Sequence, residues 1–280
     1  MKYKMILLDM DGTLLDDNKN IQTDNVRVLQ TLQSKGVIIG IATGRRYSFA
    51  KPVLERYGLK AVFFSNNGNT TWDMQSDRLL DCTTLKKDHF LNVLKLGYEE
   101  GMHPILHVNL YDKGYDLATE FDYTFEGYKG YIRKDTGNHL VDSDLTKLAD
   151  SVMIMCYGGD LDKVRTLQTK IHALYSDDIH THITMSLIRI GPLLEISEKE
   201  GTKWHAAIKY ATGLGIKQNE IVAIGDDNND IEMIEHAGVG IAMKNALDGA
   251  KNKADIILEY DNNQAGVAKG LEIVYGDFLK

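Results

Sequence analysis

Two short motifs near opposite ends of the chain carry acidic residues whose spacing could support phosphoryl chemistry. Asp9 and Asp11 stand in DMDGT, directly after the apolar run MILL, and Asp226 and Asp230 stand in GDDNND, after IVAI. Carboxylates gathered at one point repel one another, and some of their pKa values rise unless a cation neutralises them. Mg²⁺ suits one or two carboxylates together with water and a phosphate group. If folding brings the two motifs together, they predict a magnesium-dependent phosphoryl site.

A third motif supplies groups that could hold the oxygens of a phosphoryl group. Thr43 and Gly44 follow the apolar run VIIGIA, and the Thr43 hydroxyl can donate a hydrogen bond. Gly12 and Gly44 allow close approach of the backbone, so that neighbouring N–H groups can face an anion. A calcium loop in GDDNND is disfavoured, since the segment lacks the D-x-D-x-D-G spacing and the distal Glu of an EF-hand. These residues favour a phosphate-binding site.

Apolar runs alternate with helical patterns at both ends of the chain, and this order predicts how the motifs meet. The runs read as buried strands at 5–9, 37–43, 61–66, 221–226 and 239–243. Helical patterns begin at Thr23, after Arg46, at Thr202 and at Asn229. Such alternation favours a parallel sheet with helices on both faces. Ligands bind beyond the carboxyl ends of parallel strands, so we expect the motifs, and Asn67-Gly68 after the third strand, at one sheet edge.

The middle of the chain has weaker alternation and more tyrosine and glycine. Segments 103–112, 151–159 and 182–191 read as strands, and 88–101 and 160–175 read as helices packed against them. We therefore predict an α/β protein in two parts. A core domain comprises residues 1–84 and 190–280, and an inserted α+β domain comprises residues 85–189.

Composition excludes several classes of protein. The 280 residues include 32 Lys and Arg against 40 Asp and Glu, a formal net charge of −8 that disfavours a nucleic-acid partner. No apolar run approaches the roughly 18 residues of a membrane-spanning helix. Two cysteines are too few for a disulfide framework. We expect a cytoplasmic protein, a monomer or weak homo-oligomer that binds neither nucleic acid nor membrane.

These motifs, in this order, resemble the haloacid dehalogenase (HAD) superfamily, and specifically its Cof-type (subfamily IIB) phosphatases with a large inserted cap. DMDGT fits the first motif of that family, TGR at 43–45 the second, and GDDNND the last. Lys203, in GTKWHAA, stands where the family has its phosphate-binding lysine, although a lysine at a helix start is ordinarily a solvated surface residue. Asn67-Gly68 resembles the S-N-G-A turn, with Asn69 in place of Ala. The resemblance covers the whole chain.

The resemblance implies a Rossmann-like core, a cap that sets substrate specificity, and a role for each matching residue. Asp9 is expected to be the nucleophile, forming an aspartyl-phosphate, and Asp11 the acid/base, with its backbone carbonyl on Mg²⁺ and its side chain free. Asp9 and Asp226 would supply the carboxylate ligands of the metal, and Asp230 would orient that site from behind. The residues expected to bind phosphate are Met10, Thr43, Gly44, Lys203 and Asn229.

The expected activity is Mg²⁺-dependent hydrolysis of small phosphorylated metabolites, such as sugar phosphates or cofactor and nucleotide phosphates. Two alternatives stay open. A mutase resembling the hexose-phosphate mutases would return the phosphoryl group to a sugar hydroxyl, and no residue of the sequence enforces the exclusion of water that this needs. A non-catalytic sensor of a phosphorylated metabolite would need neither Asp9 nor Asp11, and both are present.

Overall fold

The apolar runs at both ends of the chain form one sheet in the computed structural model, which describes residues 2–128, 131–132, 138–185 and 191–279. The chain divides into two compact units, the first made of residues 1–81 and 202–280 and the second of residues 82–201. The elements up to residue 82 are β1 (Met5–Leu8), α1 (Thr23–Ser34), β2 (Ile38–Ala42), α2 (Tyr47–Glu55), β3 (Val62–Ser65), β4 (Thr70–Asp73) and β5 (Arg78–Cys82).

The remaining elements fall into a middle group and a C-terminal group. The middle group is α3 (Lys87–Glu99), β6 (Ile105–Leu110), β7 (Tyr115–Thr119), β8 (His139–Val141), β9 (Val152–Gly158), α4 (Leu161–Tyr175), β10 (Ile179–Thr184) and β11 (Leu193–Glu198). The C-terminal group is α5 (Lys203–Gly213), β12 (Ile221–Gly225), α6 (Ile231–His236), β13 (Val239–Ala242), α7 (Asp248–Lys251), β14 (Ile256–Ile257) and α8 (Gly266–Tyr275).

The first unit is built on an eight-stranded sheet in the order β14-β13-β12-β1-β2-β3-β4-β5. The six strands from β14 to β3 are parallel, and β4 runs antiparallel to β3. All residues of β1, β3 and β12 are buried, which explains why these strands are almost entirely apolar. The predicted parallel α/β sheet is confirmed, while β4 and β5 were not predicted. Among the described residues, no helix is both long and apolar enough to cross a membrane.

The second unit has a six-stranded sheet in the order β10-β11-β9-β6-β7-β8. Apolar residues of β6, β9 and β11 form a core with Phe90 and Leu94 of α3 and Leu167 of α4. The unit extends beyond the predicted boundary at 189, because β11 pairs with both β9 and β10. The predicted strand at 182–191 overlaps β10, which begins earlier and ends at Thr184, while residues 186–190 lie outside the described residues.

Candidate active site

The carboxyl edge of the parallel sheet brings together residues that lie about 200 positions apart in the chain. Asp9 directly follows β1, and its N–H donates to the carbonyl of Ile224 on β12, 3.0 Å away. Lys203 is the first residue of α5, and its Nζ lies 2.7 Å from Asp9 Oδ1 and 2.7 Å from Asp230 Oδ1. The predicted convergence of the first motif, the last motif and the lysine is therefore present in the structure.

Lys203 is the cation that connects these acids, and it is buried, with 2% of its surface exposed. Burial alone would lower the pKa of its ammonium group, but the charges of Asp230 and Asp9 outweigh this effect and hold the pKa above its ordinary value. Lys203 is therefore charged at neutral pH. Burial, with the charges of Asp230 and Asp226, raises the pKa of Asp9 well above its usual value although Lys203 opposes the shift.

Asp230 and Thr13 fix the position of Asp226. The Oδ2 atom of Asp230 accepts hydrogen bonds from the backbone N–H groups of Asp226 and Asp227, each at 3.0 Å. Thr13 Oγ1 donates to Asp226 Oδ1 at 2.5 Å. A β-carbon on Gly12 would lie 2.3 Å from Asp226 Oδ2, so only glycine fits there. Asp230 thus holds the backbone of the loop at Asp226 and Asp227, and its role in orienting a metal site stays a prediction.

The donor set fits a hard divalent cation. Single carboxylate oxygens of Asp9, Asp226 and Asp230 lie within 4.8 Å of one another. Lys203 supplies one positive charge against these three carboxylates, so the group retains a negative charge when all are ionised. Burial raises the pKa of Asp226 to about 7, the Thr13 hydrogen bond opposes this shift, and the charge of Asp230 adds to it. A bound cation would reverse that shift.

The side chain of Asp11 is held by two cations, contacts that the sequence did not indicate. Arg45 donates to both of its oxygens, from Nε to Oδ2 and from Nη2 to Oδ1, each at 2.6 Å. Lys19 Nζ donates to Oδ1 at 2.7 Å. Burial alone would raise the pKa of Asp11, but the hydrogen bonds from Arg45 and Lys19 outweigh it and lower the pKa below its usual value.

The residues predicted to bind phosphate line the same edge. Thr43 is buried after β2, and its Oγ1 accepts a hydrogen bond from the Arg45 N–H at 3.1 Å. Asn229 Nδ2 donates to Asn67 Oδ1 at 3.0 Å, so that donor is engaged within the protein. Gly44 lies against the same amide, because a β-carbon there would be 3.2 Å from Asn67 Oδ1. The Met10 side chain is fully buried, which leaves only its backbone for a ligand.

Several residues of the site were not singled out from the sequence. Thr13 and Arg45 lie inside the recognised motifs, so their positions could have suggested the contacts with Asp226 and Asp11. Asn245 Nδ2 donates to the Gly12 carbonyl at 2.8 Å, and Asn245 lies outside the motifs described above. Lys19, in a polar turn, gave no signal at all.

We expect Gly68→Ala to destabilise the first unit by about 3 kcal/mol or more. Gly68 has φ +96°, and a β-carbon would lie 2.1 Å from the carbonyl oxygen of Thr202, the residue before α5. The alanine must push away the helix start that carries Lys203. Urea unfolding measures the change. Gly58→Ala is the matched control, because Gly58 also has positive φ but a β-carbon would meet nothing within 4 Å, so only the backbone cost of about 1–2 kcal/mol applies. Equal losses in the two variants would contradict the steric argument.

Comparison with known proteins shows that the chain is similar to hydrolases. Residues 6–271 match the model of the haloacid dehalogenase-like hydrolase family. The chain is 30% identical to the putative phosphatase YxeH of Bacillus subtilis, over 96% of this chain and 97% of that protein. It is 27% identical to the 5-amino-6-(5-phospho-D-ribitylamino)uracil phosphatase YcsE of Bacillus subtilis, over 96% and 94%. The crystal structure of TM0651 from Thermotoga maritima has the same fold, with a TM-score of 0.80, 24% identity, and coverage of 99% and 100%.

Proposed function

The chain belongs to the haloacid dehalogenase-like hydrolase family, in its Cof-type branch, and on this premise we propose that it is a Mg²⁺-dependent phosphatase of small phosphorylated metabolites that works through an aspartyl-phosphate. The observation that carries the proposal is the contact of the buried Lys203 ammonium with both Asp9 and Asp230, beside Asp226. Phosphoryl transfer needs a nucleophile and positive charge held at one point in a site of restricted water access, and this group provides both.

In the first step, a carboxylate oxygen of Asp9 attacks phosphorus, and the bond from phosphorus to the leaving oxygen breaks. Asp11 acts here in its protonated form, although its contacts with Arg45 and Lys19 favour the ionised form; it gives its proton to that oxygen, so the product leaves as an alcohol. In the second step, a water molecule loses a proton to Asp11 and attacks phosphorus, which releases phosphate and restores the Asp9 carboxylate. Lys203 and the Thr43 hydroxyl hold the phosphoryl oxygens and stabilise the charge that develops on them.

Asp9 and Asp226 would hold Mg²⁺ through their side chains, with the backbone carbonyl of Asp11 completing the protein ligands. When bound, Mg²⁺ neutralises the phosphoryl oxygens and the carboxylates, so that an anionic nucleophile and an anionic substrate can approach. Asp230 would support this site by positioning its neighbours, because its two oxygens accept hydrogen bonds from Lys203 and from the backbone N–H groups of Asp226 and Asp227.

We propose substrates with a phosphate monoester on a small polar metabolite, either a sugar phosphate or a cofactor or nucleotide phosphate. The relative YcsE is named for a substrate with a phosphorylated ribityl chain, which supports including sugar-like phosphates among the candidates. We also propose a cytoplasmic location, in keeping with a sequence that contains only two cysteines.

Phosphate release from a panel of sugar phosphates, nucleotides and cofactor phosphates tests the proposal. We expect activity with Mg²⁺, loss in EDTA to the level without enzyme, and full recovery when Mg²⁺ is restored. Because the raised pKa of Asp226, about 7, makes protons compete with the metal, half-maximal activation should need less Mg²⁺ at pH 8 than at pH 6. Activity that persists unchanged in EDTA would contradict the metal requirement, and no release from any compound would contradict the phosphatase.

A further inference from the structure

Asp11 is held by cations from two different loops, and we propose that Arg45 and Lys19 are positioning residues that aim its carboxyl group at the leaving oxygen of the substrate. The inference rests on the proposed function, because it gives a task to the acid/base of that reaction. It goes beyond that function by assigning roles to a turn lysine and a loop arginine that do not themselves need to contact the phosphoryl group.

Arg45 fixes both the position of the Asp11 carboxyl group and the orientation of its plane. Its planar guanidinium group donates to both oxygens at once, at 2.6 Å each, and such a two-point contact restricts rotation about the last bond of the side chain. The backbone of Arg45 is itself anchored. Its N–H donates to Thr43 Oγ1 at 3.1 Å, and its carbonyl accepts from the Asn66 N–H at 3.0 Å. Arg45 therefore ties Asp11 to the ends of β2 and β3.

Lys19 is the second cation that contacts the Asp11 carboxyl group. It stands in the turn at 16–20, where Asp16 accepts hydrogen bonds from Lys19 N–H and Asn20 N–H at 2.9 Å. Its backbone has φ +64°, a left-handed conformation that residues with a β-carbon seldom adopt. Gly or Asn would suit such a turn better. The lysine instead places its ammonium group 2.7 Å from Asp11 Oδ1, while 58% of its side chain is exposed.

A role in aiming Asp11 predicts an effect that depends on the leaving group. Cleavage of an alkyl phosphate releases a strongly basic oxygen, which needs the proton of Asp11 as the bond breaks. Cleavage of p-nitrophenyl phosphate releases a stabilised anion, which needs no proton. The ratio kcat/KM reports the first, bond-breaking transfer to Asp9 and excludes the later hydrolysis of the aspartyl-phosphate. A displaced Asp11 should therefore lower kcat/KM for alkyl phosphates much more than for the aryl phosphate.

The experiment compares kcat/KM of Arg45→Met and Lys19→Met on two substrates, the most active sugar phosphate of the panel and p-nitrophenyl phosphate. For the sugar phosphate we expect a loss of about 10²-fold in Arg45→Met and about tenfold in Lys19→Met. For p-nitrophenyl phosphate we expect less than about a fivefold loss in either variant. Lys19→Arg should keep most of the activity on both substrates, because it keeps a cation at this position. Lys19→Met changes an exposed side chain, so it remains measurable even where Arg45→Met does not fold.

Arg27→Met is the matched control, because Arg27 also pairs with carboxylates, those of Asp24 and Glu272, but on the surface of α1. It should leave both kcat/KM values within about twofold. Equal losses on the two substrates in Arg45→Met and Lys19→Met, or no loss on the sugar phosphate, would overturn the positioning roles while leaving the phosphatase intact. Turnover that survives in Asp9→Asn would instead overturn the proposed function, and the positioning roles with it.

Discussion

Asp9→Asn is expected to lower phosphate release by at least about 10⁴-fold on every substrate of the panel. An amide is a poor nucleophile. Even if its oxygen attacked phosphorus, the product would not be an acyl phosphate, because the carbonyl carbon would still carry the nitrogen. The change also removes a negative charge beside Lys203 Nζ, which is 2.7 Å from the carboxylate in the wild type. Removing that charge should leave the phosphate contacts of Lys203 and Thr43 in place, whereas Mg²⁺, which loses one carboxylate ligand, should bind more weakly. The measurements are phosphate release and, separately, binding of the best substrate by calorimetry in the presence of Mg²⁺.

The matched control for this variant is Asp227→Asn, which makes the same change in an exposed acid of the GDDNND motif. Asp227 accepts a hydrogen bond from the Asn228 N–H at 2.6 Å, a capping contact that asparagine also makes. Activity in this control should stay within a few-fold of the wild type. Asp9→Ala provides a second variant that cannot revert to aspartate by deamidation. A wild-type protein that binds the substrate but releases no phosphate would instead identify a sensor, and would contradict the catalytic role of Asp9.

The parallel sheet of the first unit could be predicted because burial on both faces leaves a direct mark on sequence. The strands MILL and IVAIG contain no polar side chain, and each is followed at once by a segment rich in aspartate. The β4–β5 hairpin has no such apolar run at β5, because the residues of β5 are half-buried or exposed. The second unit ends at residue 201 and not at the predicted 189 for a related reason. The run LLEIS of β11 is apolar enough for either sheet, and only its pairing with β9 and β10 decides between them.

The acids of the site could be predicted as a group, but their partners could not. Parallel strands with acidic carboxyl ends must place Asp9 and Asp226 near each other. Lys203 joins this group because α5 begins at that residue and because Gly68 closely approaches Thr202. The hydrophobic periodicity of the sequence does not predict either feature. The contact of Lys19 with Asp11 depends on one left-handed residue in a turn. Local conformations of this kind decide which cation meets which carboxylate.

Lys203→Met is expected to have the largest combined effect on activity and stability. The variant keeps the length and much of the volume of the side chain but removes the cation bound by Asp9 and Asp230. Loss of a donor to the phosphoryl oxygens should lower kcat/KM by about 10²–10³-fold. Two buried carboxylates without their partner should cost about 3–5 kcal/mol of the free energy of unfolding, measured in urea with EDTA present.

The loss of stability in Lys203→Met should increase with pH. Lys203 acts to lower the pKa of Asp9, which burial already raises, so its removal raises that pKa further. A carboxyl group whose pKa is higher in the folded than in the unfolded protein stabilises the fold at low pH. This stabilisation disappears as the pH rises through the folded-state value. We therefore expect a smaller difference from the wild type at pH 5 than at pH 8.

Two further variants separate the charge of Lys203 from its packing. Lys209 lies on the same helix and forms an exposed ion pair with Asp81 at 2.7 Å. Lys209→Met should therefore change the free energy of unfolding by less than about 1 kcal/mol at either pH. In Lys203→Met/Asp230→Asn, one of the two uncompensated charges is gone, so part of the stability should return without any return of activity. Failure of the double variant to recover stability would mean that Lys203 supports the fold by packing rather than by neutralising these acids. Because the side-chain oxygen of asparagine can still accept the hydrogen bonds from the Asp226 and Asp227 N–H groups, the recovered part measures the electrostatic contribution of the contact between Lys203 and Asp230.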